Sequence, residues 1–238
     1  ALKQDFTVGV IARGYRSQAE KVSKSIILSK GRGPLHPASF CGDEPYLIAD
    51  HLPEVIVIVG KNRHKSANEA AKLGAQVIVM DDAMQHRQIA RDLEVVVIDS
   101  RDPCGQGYFL PRGLLREGLS ALGRADLIIL NHADNLSICH QLRHKIMDFS
   151  SAPVVSTRME PEAVLELESG AQINLDGMKV GAFCGIAHSE YFKKTLEDLK
   201  ADIVKELVLG DYEGLHHDQL EDYAKECKAL GAQALVCT

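Results

Sequence analysis

Five short apolar runs constrain this chain more than any other feature: FTVGVIA at 6–12, VIVIV at 55–59, QVIVM at 76–80, EVVVID at 94–99 and ADLIIL at 125–130. Each is too short for a buried helix and is rich in Val and Ile, with almost no polar residue to face water. A strand that is apolar on both faces belongs in a parallel sheet covered by helices on both sides. SIIL at 25–28 reads as a further short strand. Between these runs, EPYLIADHL (44–52) and SANEAAKLG (66–74) have helical spacing. Strands alternating with helices predict a layered α/β fold. None of the runs approaches the ~20 residues needed to cross a bilayer, and no signal peptide opens the chain.

The chain has 238 residues, enough for one large α/β domain or two smaller ones. AKLGAQVIV (71–79) is echoed by KALGAQALV (228–236). Each reads as a helix end, a capping glycine and a buried strand, so the same αβ unit is expected in both halves. The texture changes at 150–177, where turn residues stand at Ser169-Gly170 and Asp176-Gly177. The expected organisation is therefore an α/β domain over 1–155, a β-hairpin connector over 156–177 and a smaller second α/β domain over 178–238. ALKQDF at the start reads as the tail of a helix, and GAQALVCT ends on a strand. Both ends read as internal to a longer protein.

Net charge is −6, so no global basic field argues for nucleic acid. That balance leaves room for an anionic substrate held in a local basic pocket. The six cysteines are scattered without CxxC or zinc spacing, and the ten histidines form no HExxH. Reduced thiols of a cytosolic protein are expected.

The candidate chemistry lies at the ends of the strands. QVIVM runs straight into Asp81 and Asp82. A strand ending in Asp delivers a carboxylate to the edge where open α/β sheets bind ligands. Two readings stand open, an Asp-capped strand-to-helix turn or a magnesium site beneath a nucleotide's phosphates. No GxxxxGK[ST] loop is present; Gly60-Lys61 has Val55 where the first glycine would stand. No GxGxxG is present either. In FCGDEPYLIADHL, Gly42 gives a turn, Asp43 can cap, and Glu44 and Pro45 suit a first helical turn. Asp43 could equally serve as a general base, alone or with a histidine. In YEGLHHDQLEDY, His216 and His217 precede a helix start and read equally as caps. Arg112 and Arg116 in LPRGLLRE, placed between a strand and a helix, suit an anion or a local salt bridge near Glu117. Arg13, Gly14, Tyr15 and Arg16 follow the first strand.

Taken in order, ARGYRS, GDEP, DDAMQHRQIARDLEVVVID, LPRGLLRE, FCGI and LHHDQLEDY resemble the tetraacyldisaccharide 4'-kinase family across nearly the whole chain. The resemblance implies a P-loop-kinase-like parallel sheet layered with helices, a smaller second α/β domain and a β-stranded connector. It implies ATP-dependent phosphorylation, with Mg²⁺, of the 4'-hydroxyl of a lipid A disaccharide precursor. It also implies peripheral work at the cytoplasmic face of the inner membrane, and soluble behaviour for a fragment without the membrane-binding helix. Asp43 matches the catalytic aspartate and His216 its histidine partner. Asp81 and Asp82 match a Walker-B-like pair near Mg²⁺, followed by Gln85 and His86 in the cofactor motif. Arg13, Tyr15, Glu44, Arg112 and Arg116 match substrate-side motifs at the rim, with Gly14, Gly113 and Glu117 beside them. The family's phosphate-binding loop is expected ahead of Ala1. Leu215 stands where the family has Asp, Ala83-Met84 replaces Gly-Phe, and Arg112-Gly113-Leu114 varies a small-Gly-Pro run. A non-catalytic module binding an anionic glycolipid or a protein is the alternative.

Overall fold

The computed structural model describes residues 2–186, 188–210 and 215–238. The chain divides into two compact units, Ala1–Arg158 and Met159–Thr238.

In the first unit, β1 (Val8–Ala12) is the inner strand of a four-stranded sheet. It pairs in parallel with β3 (Ile56–Val59) on one side and β4 (Val77–Met80) on the other. β2 (Ile26–Lys30) closes the far edge antiparallel to β3, giving the order β2-β3-β1-β4. Every residue of β1 and β3 is buried, as their two apolar faces require. Alternation along β3 divides the labour. Val57 and Val59 pack into one core with Leu28, Cys41 at the end of α1 (Ala38–Cys41), and Ala49 of α2 (Asp43–His51). Ile56 and Ile58 pack on the other face against Ala70 of α3 (Arg63–Lys72). Gly9 lets α3 approach, since a Cβ there would lie 3.2 Å from the Ala70 Cβ.

A second sheet in this unit is fully parallel, in the order β5 (Val95–Asp99), β6 (Leu127–Asn131), β7 (Val154–Ser156). α4 (Leu136–Met147) covers it through Leu142 and Ile146, which pack against Ile98, Ile128 and Leu130. A single parallel sheet was expected from the sequence. The apolar runs are where expected, but they form two sheets, because β4 and β5 do not pair with each other. Two smaller expectations also change. The helix expected after LPRGLLRE forms only as a 3-10 helix, Leu119–Arg124. α3 starts at Arg63, because the Asn62 side chain accepts the Lys65 N–H and caps it there.

The second unit carries a parallel sheet in the order β10-β8-β9, with β8 (Lys179–Cys184), β9 (Asp202–Val208) and β10 (Ala234–Cys237). α5 (Ser189–Asp198) and α6 (His217–Ala229) accompany it. Ahead of β8, an antiparallel bridge joins Leu165 to Gln172 around a turn at Gly170. The sequence echo has the same structure in each unit. Gly74 (φ 95) and Gly231 (φ 88) end α3 and α6 in the left-handed region that glycine tolerates. Two residues on, the Gln76 carboxamide accepts the Thr7 N–H at 2.9 Å, and that of Gln233 accepts the Lys179 N–H at 3.2 Å. Gly181 then plays the part of Gly9, with no room for a Cβ against Cys227 Sγ at 2.4 Å. All six cysteines are free thiols.

Candidate active site

Parallel strands β1, β3 and β4 end at one edge, so the loops that follow them meet there. Gly14, after β1, has φ 67, and a Cβ would sit 2.4 Å from Val59 Cγ1 and 3.0 Å from the Cys41 carbonyl. Only glycine fits, and it presses ARGYRS onto GDEP. Ser17 Oγ donates to the Gly14 carbonyl at 2.6 Å. Arg13 Nε and the Arg16 backbone N–H donate to the two oxygens of Glu20 at 2.7 and 2.8 Å. The Arg16 and Arg13 guanidiniums stand 5.2 and 6.0 Å from the Tyr15 ring. In GDEP the helix cap is Gly42 (φ 96), not Asp43. Asp43 and Glu44 are the first two helical residues, both exposed, where the helix dipole favours a carboxylate. Among the described residues no hydrogen bond or ion pair engages the Asp43 carboxylate.

The acidic pair lies at the end of β4, and no helix follows it. The Asp-capped turn is therefore not what forms. The Ile11 carbonyl links the elements: it accepts the Asp81 N–H at 3.2 Å and Arg63 Nη1 at 2.8 Å. Asp82, in the left-handed region at φ 48, is gripped by Arg116. Nη1 and Nη2 of Arg116 donate to its two oxygens at 2.9 and 2.6 Å. Arg116 thus reaches Asp82 and not its neighbour Glu117, which pairs with Arg124 at 2.8 Å. The Arg116 hydrogen bonds hold the Asp82 carboxyl below its usual range; burial opposes them, and the Arg63 and Arg13 charges assist. Asp81 has no hydrogen-bonding or ion-pairing partner for its carboxylate among the described residues.

Arg63 was not singled out in the sequence. It is 5% exposed. Burial lowers its pKa, while the charges of Asp81 and Asp82 act to raise it. Its one sequence signal is position, at the first turn of a capped helix directly after a fully apolar strand.

Around this core, Gln85 hydrogen-bonds Glu117. Burial acts to raise the Glu117 carboxyl, but the bonds from Arg124 and Gln85 outweigh it and leave the pKa lowered. His86 is partly buried, with Nε2 lacking a partner, and lines a cavity of about 630 Å³ with Lys21, Lys61 and Asn62. Arg91 pins this segment by donating to the His86 carbonyl at 2.5 Å and pairing with Glu94. Arg112 is not at the acidic pair; it stacks on Tyr108 at 3.6 Å. His216 lies on the second unit as the N-cap of α6, its N–H donating to Gln219 Oε1 at 3.1 Å. Residues 212–214 of its motif lie outside the described residues.

The bare edges of β4 and β5 face a cleft of about 940 Å³, lined by Val79, Val95, Val97, Asp81, Asp82 and Arg116 among others. Asp81 and Asp82 are hard oxygen donors, as Mg²⁺ requires. Among the described residues no cluster of three or more metal-binding side chains exists.

A mostly parallel α/β sheet with tandem aspartates at the edge where such sheets bind ligands, and arginines around them, is an architecture that suits a phosphorylated ligand. The family model described as LpxK, tetraacyldisaccharide-1-P 4'-kinase, matches residues 1–238, and the chain belongs to that family. The tetraacyldisaccharide 4'-kinase of Anaeromyxobacter dehalogenans strain 2CP-C is 38% identical over 97% of this chain and 62% of that protein. That of Halothermothrix orenii is 35% identical over 94% of this chain and 62% of its own length. The chain thus spans about 62% of these relatives. A crystal structure of LpxK from Aquifex aeolicus in complex with ATP matches with a TM-score of 0.66 at 25% identity, over 99% of this chain and 74% of that one. Among the described residues, no helix is long and apolar enough to cross a membrane.

Proposed function

We propose that the full-length protein transfers the γ-phosphoryl group of ATP to the 4'-hydroxyl of a tetraacyldisaccharide 1-phosphate in lipid A biosynthesis. The observation that carries this reading is the unpartnered Asp81 carboxylate beside an Arg116-held Asp82 at the mouth of the cleft. Asp81 and Asp82 would hold Mg²⁺, which neutralises charge on the transferring phosphates. Arg116 keeps Asp82 ionised and oriented, and the buried Arg63 stands close enough for its charge to assist. Gln85 and His86 belong to the nucleotide side, and Arg13, Tyr15, Glu44 and Arg112 to the substrate side. Asp43, exposed and unpaired, takes the proton of the attacking hydroxyl. His216 supplies the histidine role that its motif carries.

Two bare strand edges facing one cleft leave room for a further strand, since paired strands stand about 4.8 Å apart. We assign that place to the segment of the full-length protein that bears the phosphate-binding loop. The domain division follows: a kinase-like unit completed by that segment, a hairpin connector over 156–177 and a smaller α/β domain. Acting on a lipid, the protein would work peripherally at the cytoplasmic face of the inner membrane.

The test is turnover of full-length Asp43→Asn, His216→Asn and the double variant. Unchanged turnover in folded Asp43→Asn protein contradicts the assignment.

A further inference from the structure

The loop between β5 and the 3-10 helix displays four large apolar side chains within seven residues. Tyr108 is 46% exposed, Phe109 57%, Leu110 58% and Leu114 63%. Single exposed apolar residues are ordinary; a cluster on one loop marks an interaction surface. The loop is held in shape by its own backbone. Leu115 N–H donates to the Tyr108 carbonyl at 3.1 Å, Leu110 N–H to Leu115 at 3.0 Å, and Leu114 N–H to Gly105 at 2.9 Å. Gly113 has no room for a Cβ, which would lie 2.3 Å from the Tyr108 carbonyl. The apolar side chains are therefore presented by an ordered scaffold, and little ordering entropy remains to oppose binding.

Charge identifies the occupant. From Pro103 to Arg116 the loop contains no acidic residue, in a chain whose net charge is −6. Arg116 is committed to Asp82. Arg112 lies flat on Tyr108 at 3.6 Å, with no carboxylate paired to it among the described residues. Exposed apolar side chains with an unneutralised guanidinium among them match a bilayer surface, with acyl chains for the side chains and lipid phosphates for the arginine. Four side chains offer too little area for a stable protein interface, which needs ~1,000 Å² or more. Shallow insertion beside an anionic headgroup needs far less.

We infer that the Tyr108–Leu114 loop inserts into an anionic bilayer surface and brings the acidic pair, through Arg116, to the plane of its lipid substrate. The inference rests on the lipid-kinase reading for its purpose, but its test does not.

These 238 residues contain no Trp, so Phe109→Trp places a reporter at the tip. In the full-length protein, its emission should shift blue with phosphatidylglycerol-phosphatidylethanolamine vesicles, relative to the parent, and be quenched by lipids brominated in their acyl chains. Phosphatidylcholine vesicles should produce little of either. The double variant Leu110→Ser/Leu114→Ser should bind the anionic vesicles about tenfold more weakly, with its thermal unfolding and its turnover of detergent-dispersed substrate unchanged. Unaltered Phe109→Trp emission, or parental vesicle binding by the double variant, overturns the inference. So does a blue shift that depends on protein concentration without lipid, which means self-association. A parent that binds vesicles but phosphorylates nothing refutes the kinase reading and leaves this one standing.

Discussion

Asp82 and Asp43 are both carboxylates at the same sheet edge, and their surroundings set them different tasks. Arg116 grips both oxygens of Asp82, and its hydrogen bonds hold that carboxyl below the usual range. The sign of the pH effect follows. A carboxyl lowered from its unfolded value near 3.9 contributes stability above that value, and loses it as pH falls through the folded pKa. In Arg116→Ala, the Asp82 titration followed by carbon NMR should move upward. Both partners are about half exposed, so the stability lost at neutral pH should stay within about 1 kcal/mol. Among the described residues the Asp43 carboxylate has no hydrogen-bond or ion-pair partner to lose. Asp43→Asn should leave thermal unfolding unchanged while turnover falls by about 10²–10⁴. Gly14→Ala is the opposite case. Its Cβ would meet Val59 at 2.4 Å in a left-handed backbone, so calorimetry should find it destabilised by about 1–3 kcal/mol.

At the scale of elements, the two GAQ corners do the same job twice. Gln76 reaches back to the Thr7 N–H just ahead of β1, and Gln233 to the Lys179 N–H that opens β8. Replacing either by Ala should cost about 1 kcal/mol in denaturant unfolding, with similar losses for the two positions. This repeat was legible in the sequence because it is local: helix end, glycine, strand. β1 and β3 were legible for the same reason, since burial on both faces leaves no polar position, whereas β7 fell where only a change of texture was read. β9 was not, because DIVKELV carries charges on a half-buried strand and lacks a continuous apolar run. Strand pairing was not legible either. Val79 and Val97 read as ordinary core residues, and only the fold shows that they border an open cleft. Arg63 escaped notice because burial of a guanidinium leaves no mark on composition; in KNRHKS it reads as one more surface charge. The ordered motifs did point to the sheet edge where ARGYRS, GDEP and the acidic pair converge. Arg112, grouped with them by its motif, stacks on Tyr108 in the loop ahead of Arg116, a contact that its motif did not announce.

The molecule as a whole is two α/β units, the first with a cleft between two unpaired strand edges. The chain spans about 62% of the relatives it matches. In the proposed function, Asp81 and Asp82 form the metal side of a nucleotide site. The measurement that tests this most directly is calorimetric titration of MgATP into the full-length protein, its Asp81→Asn variant, and the 238-residue chain alone. Binding is expected by the full-length protein, at least about tenfold weaker binding by Asp81→Asn, in line with losing one charged contact to a metal, and none by the short chain. Equal affinity for the parent and Asp81→Asn, or full affinity in the short chain, would contradict it.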